Sequence, residues 1–248
     1  MNVQQFELNR IPIIEIFNSV SGEGISAGSV MTFVRVAGCN LRCNYCDTKY
    51  SYNEFGNEIQ ILKPNEIINI LNSYNCKNVL CTGGEPLELN KVKRYLPLYL
   101  ASKGFEVRIE TNGSCPLYSN AEINDFVKDA NLIKLNYALD VKCPDSGMSD
   151  YNIYSENLKL LGSEDEIKFI VGSQGDLQFA LRCIKEHSQV LSQTGVTINF
   201  SPVFGKLESR EIVNVLKENN TYFEKYKLKV RLSLQIHKFI WPPEERGV

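Results

Sequence analysis

Residues 38–48 read Gly38-Cys39-Asn40-Leu41-Arg42-Cys43-Asn44-Tyr45-Cys46-Asp47-Thr48, which places three of the chain's eight cysteines in one short segment with Cys-x-x-x-Cys-x-x-Cys spacing. The segment directly follows Met31–Val36 (MTFVRV), an apolar, β-branched run that reads as a strand. Loops leaving the C-terminal ends of strands are where parallel α/β folds gather their functional groups. The same arrangement recurs further along. Thr82-Gly83-Gly84-Glu85-Pro86 follows the strand expected at Val79–Thr82, and Glu110-Thr111-Asn112-Gly113 follows the one at Phe105–Glu110.

Further strands are expected at Tyr137–Val141, Glu166–Val171, Val196–Ser201 and Lys229–Leu234. Between them, apolar side chains recur at helical spacing: Ile67, Ile68, Leu71 and Tyr74; Val92, Leu96, Tyr99 and Leu100; Leu177, Leu181 and Ile184; Ile212, Val213 and Leu216. Strand–helix alternation favours right-handed βα units. The units are too few for a closed eight-fold barrel. The expected fold class is α/β, an incomplete or open (β/α) barrel with mostly parallel strands. No linker, repeat or low-complexity tract divides the chain, so residues 1–248 are expected to form a single domain.

With 248 residues, 43% of them hydrophobic and 23% charged, the chain has ordinary globular composition. A formal net charge of −2 argues against a protein that coats nucleic acid by charge. No apolar run approaches the ~20 residues needed to cross a bilayer, and Met1–Arg10 lacks the apolar core of a signal peptide. A cytoplasmic protein with reduced cysteines is expected, and Cys76, Cys81, Cys115, Cys143 and Cys183 read as small hydrophobes. Three local thiolates can hold three irons of a [4Fe–4S] cluster and leave the fourth open to a small ligand. Zinc is the alternative: a closed structural site wants a fourth ligand, and His187 and His237 are remote in sequence, but a catalytic zinc with three cysteines and water stays open, and a disulfide comes third.

The cysteine spacing followed by Asp47-Thr48, together with Thr82–Pro86, resembles the radical S-adenosylmethionine superfamily. The resemblance implies that the methionine moiety of the cofactor chelates the open iron and that the adenosyl group is released as a radical. It assigns Tyr45, Cys46, Asp47, Gly84, Glu85 and Asn112 to the cofactor. Glu15-Ile16-Phe17, Val20-Ser21-Gly22-Glu23-Gly24, Arg35 and Ser233-Leu234-Gln235-Ile236-His237-Lys238 narrow this to a resemblance with the 7-carboxy-7-deazaguanine synthase family. That family contracts 6-carboxy-5,6,7,8-tetrahydropterin to 7-carboxy-7-deazaguanine with loss of ammonia, on the route to queuosine and other 7-deazapurines.

By this resemblance Val20, Ser21, Gly22, Glu23, Arg35 and Thr82 bind substrate, Thr48 binds Mg2+, and Asp140, Lys142 and Ser201 complete the cofactor site. Arg35 offers a planar donor fork for the substrate carboxylate, or else pairs with a structural acid such as Glu15. Glu23 and the backbone carbonyls of Val20–Gly22 are acceptors for the guanidine-like pterin edge. Thr48 either meets the cation or caps the next turn. Ser21 stands where the family commonly has glutamine, and Asp140-Val141-Lys142 where it has Ser-Pro-Lys. His237 reads first as a hydrogen-bonded structural residue, and the tail from Trp241 to Val248 as a cover for the substrate pocket or a frayed end. A flavodoxin-type reductant and a homodimer are implied by the resemblance alone. The competing functions are a glycyl-radical-enzyme activating enzyme of the same superfamily and a non-catalytic zinc or Fe–S binding module.

Overall fold

Period-two alternation along the strands builds two chemically different sheet faces. The computed structural model describes residues 1–242 and 245–248; Pro243 and Glu244 of the tail lie outside the described residues. In chain order the strands are β1 (Ile11–Val20), β2 (Val30–Val36), β3 (Gln60–Leu62), β4 (Asn78–Gly83), β5 (Glu106–Thr111), β6 (Lys134–Lys142), β7 (Glu166–Val171), β8 (Thr197–Pro202) and β9 (Lys229–Leu232). They form one sheet in the order β3-β1-β2-β4-β5-β6-β7-β8-β9, antiparallel at β3-β1-β2 and parallel from β2 onward. β3 and β9 are its edges, so the barrel is open, as the count of βα units implies.

The helices are α1 (Val3–Glu7), α2 (Pro64–Ser73), α3 (Leu96–Ser102), α4 (Asn120–Phe126), α5 (Tyr154–Asn157), α6 (Gln174–Glu186), α7 (Ser188–Thr194), α8 (Ser209–Lys225) and α9 (His237–Ile240). Local chemistry starts them. Pro64 opens α2, where Glu66 reaches back to the Lys63 amide at 2.6 Å, and the Ser173 hydroxyl accepts from the Asp176 amide ahead of α6. Leu177, Leu181 and Ile184 of α6 are buried against Ile167, Phe169 and Val171 of β7 in one hydrophobic cluster. Each such side chain contributes roughly 1.5–3 kcal/mol by leaving water. Tyr74 and Val213 depart from the expected apolar stripes: both are 39% exposed. In α8 the buried positions are Ile212, Val215 and Phe223, and Val213 is not among them.

The other sheet face is polar. Successive side chains of a strand point to opposite faces, so Arg35, Thr82, Glu110, Asp140 and Lys168 line a cavity while their apolar neighbours pack under the helices. Register aligns them across the sheet: Arg35 pairs with Thr82, Asp140 with Lys168, Lys168 with Asn199, and Asn199 with Arg231.

The sequence reading missed β1 and β3. In β1 the alternation breaks at a bulge between Ile13 and Glu15, which turns both Ile13 and Ile14 inward. The six strands expected from Met31 to Ser201 are present with ends shifted by a few residues, and the last strand stops at Leu232. Cys81, Cys115, Cys143 and Cys183 are buried, whereas Cys76 is half-buried.

Candidate active site

The cysteine loop is held from beneath before any ligand is considered. Lys93, 1% exposed, donates to the carbonyl oxygens of Ala37 and Gly38 at 2.9 and 2.7 Å, and Glu88 balances its charge at 2.7 Å. The Glu85 amide donates to the Gly38 carbonyl at 2.8 Å, and the Gly84 amide to Val36 at 3.0 Å. A Cβ on Gly84 would fall onto the Gly38 carbonyl group. This glycine therefore permits the two loops to touch, which is a closer reason for its presence than room for a ligand. Arg42 turns back onto the carbonyls of Cys39 and Leu41, at 2.6 and 2.7 Å, and lies over the Tyr52 ring.

All eight cysteines are free thiols. Cys39, Cys43 and Cys46 line one cavity of about 190 Å³. The Leu41 amide and the Asn112 side-chain amide both point at the Cys39 sulfur, at 3.5 and 3.7 Å. Burial pushes the Cys39 and Cys43 thiols up from their ordinary values, with Lys142 pulling both back. Among the described residues no group of three His, Cys, Asp or Glu side chains closes on one metal-ion position. A cubane takes each thiolate on a separate iron, so three half-exposed thiols facing one cavity fit its chemistry.

The same cavity is lined by Tyr45, Asp47, Thr48, Gly83, Gly84, Asn112, Asp140 and Lys142. Lys142 pairs with Asp140 at 2.7 Å, and Asp140 keeps one buried carboxylate oxygen without a hydrogen bond. Two residues expected at the cofactor lie outside the cavity lining. Glu85 is fully buried outside the cavity: its oxygens accept from Leu87, Thr111 and Asn112 at 2.7–2.8 Å, stapling two loops together. Ser201 also lies outside the lining, with a buried, unpaired hydroxyl; Pro202, Val203 and Phe204 line the cavity instead.

A second cavity, of about 320 Å³, is lined by Val20, Ser21, Gly22, Glu23, Arg35 and Thr82, by His237, and by tail residues Trp241, Pro242, Glu245, Arg246, Gly247 and Val248. The tail thus lies over this cavity. Arg35 bonds Glu15 through Nε at 2.6 Å, and Tyr50 donates to the same Glu15 oxygen at 3.2 Å. The structural pairing therefore exists. It uses only Nε, and among the described residues both terminal nitrogens of Arg35 have no hydrogen-bond partner. Burial opposes its charge, but Tyr50, Glu15 and Glu110 more than offset that.

Ser21 turns away: its hydroxyl contacts the Glu23 carbonyl and Ser26, and its own carbonyl accepts from Gly28 at 2.8 Å. The Gly22 carbonyl accepts from Ile236 at 2.9 Å. Neither carbonyl is the free acceptor that the sequence suggested. Glu23 is bound by Gln235 at 2.6 Å and Lys168 at 3.2 Å. Burial pushes its carboxyl up, but Lys168, the Gln235 hydrogen bond and His237 bring it down to about 2.

Thr48 does not cap the turn that follows: its hydroxyl makes no capping bond and sits 3.6 Å from the Cys46 sulfur. Among the described residues His237 has no side-chain hydrogen bond; its ring packs against Gly22, and burial lowers its pKa. Seven residues line both cavities: Glu23, Arg35, Asp47, Thr48, Thr82, Glu110 and Lys238. Sequence reasoning gave no role to Lys93, Lys168 or Lys238. Lys238 pairs with Asp47 at 3.1 Å and so ties the C-terminal segment to the cysteine loop. Its position inside the quoted Ser233–Lys238 stretch was the available signal.

Residues 33–218 match the model of the radical SAM superfamily. The chain is 38% identical over 236 residues to a 7-carboxy-7-deazaguanine synthase of Clostridium acetobutylicum, covering 95% of this chain and 98% of that one. A synthase of the same name from Methanospirillum hungatei is 36% identical, covering 93% and 86%. The crystal structure of QueE from Escherichia coli superposes with a TM-score of 0.69 at 20% identity, covering 95% and 98%, which speaks for the fold.

Proposed function

We propose, for a chain that belongs to the radical S-adenosylmethionine superfamily and within it to the 7-carboxy-7-deazaguanine synthases, that the seven shared residues mark where cofactor and substrate meet. The activity is that of a 7-carboxy-7-deazaguanine synthase: ring contraction of 6-carboxy-5,6,7,8-tetrahydropterin with loss of ammonia. The observation that carries this reading is the adjoining pair of cavities, one holding three thiols and the other a half-used arginine. The relatives' names favour it over a glycyl-radical activating enzyme, and the match to the radical SAM superfamily favours it over a zinc module.

Cys39, Cys43 and Cys46 hold the [4Fe–4S] cluster, and Gly84, Asn112, Asp140, Lys142, Tyr45 and Asp47 surround S-adenosylmethionine. When bound, these two groups supply the one-electron chemistry. The chain's own residues do the positioning. The free nitrogens of Arg35 take the substrate carboxylate as a charged fork. Glu23, held ionised, accepts from the pterin edge, and Thr82 is set by its bond to Glu110 at 2.9 Å. Thr48 offers a hydroxyl to Mg2+, which commonly takes few protein ligands and completes its shell with water and substrate oxygens. The tail over the second cavity keeps bulk water from the reacting ring.

We read the chain as a single cytoplasmic domain that works as a homodimer with a flavodoxin-type reductant. One continuous hydrophobic cluster supports the single domain. No helix among the described residues is long and apolar enough to cross a membrane. The test is anaerobic reconstitution with iron and sulfide, then assay with 6-carboxytetrahydropterin, S-adenosylmethionine and Mg2+. Formation of 7-carboxy-7-deazaguanine supports the reading. Stoichiometric zinc with no acid-labile sulfide would defeat it, as would cofactor cleavage by Cys39→Ala, Cys43→Ala and Cys46→Ala at the wild-type rate.

A further inference from the structure

Lys168 is a buried lysine that the roles above leave unused. It stands on the polar face of β7, 5% exposed, and lines the cavity that holds the three thiols. Its ammonium lies 3.2 Å from Glu23, 3.5 Å from Asp140 and 3.6 Å from Glu110. These carboxylates come from three separate places: the turn after β1 and the C-terminal parts of β5 and of β6. Glu23 and Glu110 belong to both cavities, whereas Asp140 lines only the one with the thiols.

We infer that Lys168 is a positioning residue that fixes the substrate-side carboxylates Glu23 and Glu110 relative to the cofactor-side carboxylate Asp140, so that substrate reaction stays coupled to cofactor cleavage. The inference deepens the synthase reading and rests on it. Geometry carries it. An ammonium is a compact charge suited to a point where three carboxylates converge from different directions; here it hydrogen-bonds Glu23 at 3.2 Å and lies within ion-pair range of Glu110 and Asp140. Each acceptor has a separate tether on its far side. Gln235 holds Glu23 at 2.6 Å, Thr82 holds Glu110 at 2.9 Å, and Lys142 holds Asp140 at 2.7 Å. Lys168 is the group common to all three.

The local charges agree. Burial opposes the charge on Lys168, yet Glu110, Glu23, Asp140 and Glu166 together raise its pKa well above the ordinary value. Glu166, two residues earlier on the same strand, is engaged elsewhere, by Arg108, Asn199 and the Ile25 amide. Removing the ammonium leaves Glu23, Glu110 and Asp140 to repel one another inside a poorly solvated cavity. The carboxylates then move apart, and the placement of the substrate-side residues relative to the cofactor-side residues is no longer fixed. A displacement of about 1 Å at a reacting centre is enough to cost on the order of a hundredfold in rate.

The experiment compares reconstituted wild type with Lys168→Met and Lys168→Arg, scoring deazaguanine formed per S-adenosylmethionine cleaved, alongside iron content. Expected for K168M is wild-type iron loading, continued cofactor cleavage, and a product-to-cleavage ratio at least tenfold lower. K168R should recover at least threefold of that loss, because it restores the charge. A wild-type ratio in K168M overturns the inference, and so does K168R with a ratio no better than K168M. If K168M fails to load iron, K168R alone decides: normal loading with a reduced ratio supports the inference, and failure of both to load makes Lys168 a folding residue and overturns it. The synthase reading fails separately, when wild type cleaves cofactor but forms no deazaguanine.

Discussion

The Lys93 ammonium is bonded to the Gly38 carbonyl oxygen at 2.7 Å, one residue before the first cysteine of the cluster loop. Lys93 is 1% exposed and is also bound to Ala37 and Glu88. The loop's entry is thus fixed by a charge buried beneath it. In Lys93→Met the Glu88 carboxylate loses its buried partner, a change that costs roughly 3–5 kcal/mol. We expect a lower denaturant midpoint and iron loading reduced severalfold. An unchanged midpoint would show that the loop holds its own shape.

Gly84→Ala places a methyl group where the Gly38 carbonyl sits, and backbone cannot swing aside as a side chain does. Loss of cluster loading is expected, with a stability loss of about 1–3 kcal/mol. Gly175→Ala is the control. It lies in α6 with no crowding atom nearer than 3.6 Å, so alanine there is expected to be neutral or to stabilise by about 0.4–1 kcal/mol. Thermal melts of both variants, read beside iron content, separate loop contact from the general cost of altering a glycine.

Arg35 holds Glu15 through Nε only, so Arg35→Lys keeps a charge and loses the fork. KM for the carboxylated pterin is expected to rise about 10–100-fold, the worth of a charge-assisted hydrogen bond or two. Cofactor cleavage without substrate should change much less. Steady-state kinetics that show equal loss in both would place Arg35 in the scaffold alone.

Thr48→Val removes a hydroxyl that makes no capping bond and keeps the residue's shape. Product formation by wild type is expected to rise with added Mg2+, and that response should shrink at least fivefold in T48V at unchanged iron content. A full Mg2+ response in T48V would assign the cation elsewhere.

Glu23 carries a pH signature. Its folded carboxyl sits at about 2 against an ordinary value of 4.5, because Lys168, the Gln235 hydrogen bond and His237 together outweigh the upward push of burial. A carboxyl lowered on folding stabilises the chain above its unfolded pKa, and that stability is lost as pH falls toward the folded value. Denaturant unfolding of the iron-free chain should show wild type losing a few kcal/mol between about pH 5 and pH 2 relative to Glu23→Gln. Parallel pH profiles for the two proteins would show that Glu23 is not held by this pairing.

The cysteine loop, the glycine-rich segment after β4 and the parallel α/β order could be read from consecutive residues, because these are local signals. A loop's spacing and a strand's alternation are written in consecutive residues. β1 was illegible because its bulge breaks that alternation and its partners, β2 and β3, are recognised only by pairing. Tertiary contacts alone show that Glu85 is a staple between loops, that the Thr48 hydroxyl makes no capping bond, and that Arg35 bonds Glu15 through Nε with no partner on its two terminal nitrogens among the described residues. The tertiary structure also brought Lys93 beneath Gly38 and Lys168 among three carboxylates, across separations of 55 residues and of up to 145. Contacts at such range depend on how the sheet curls and where each loop lands. No short window of sequence encodes that.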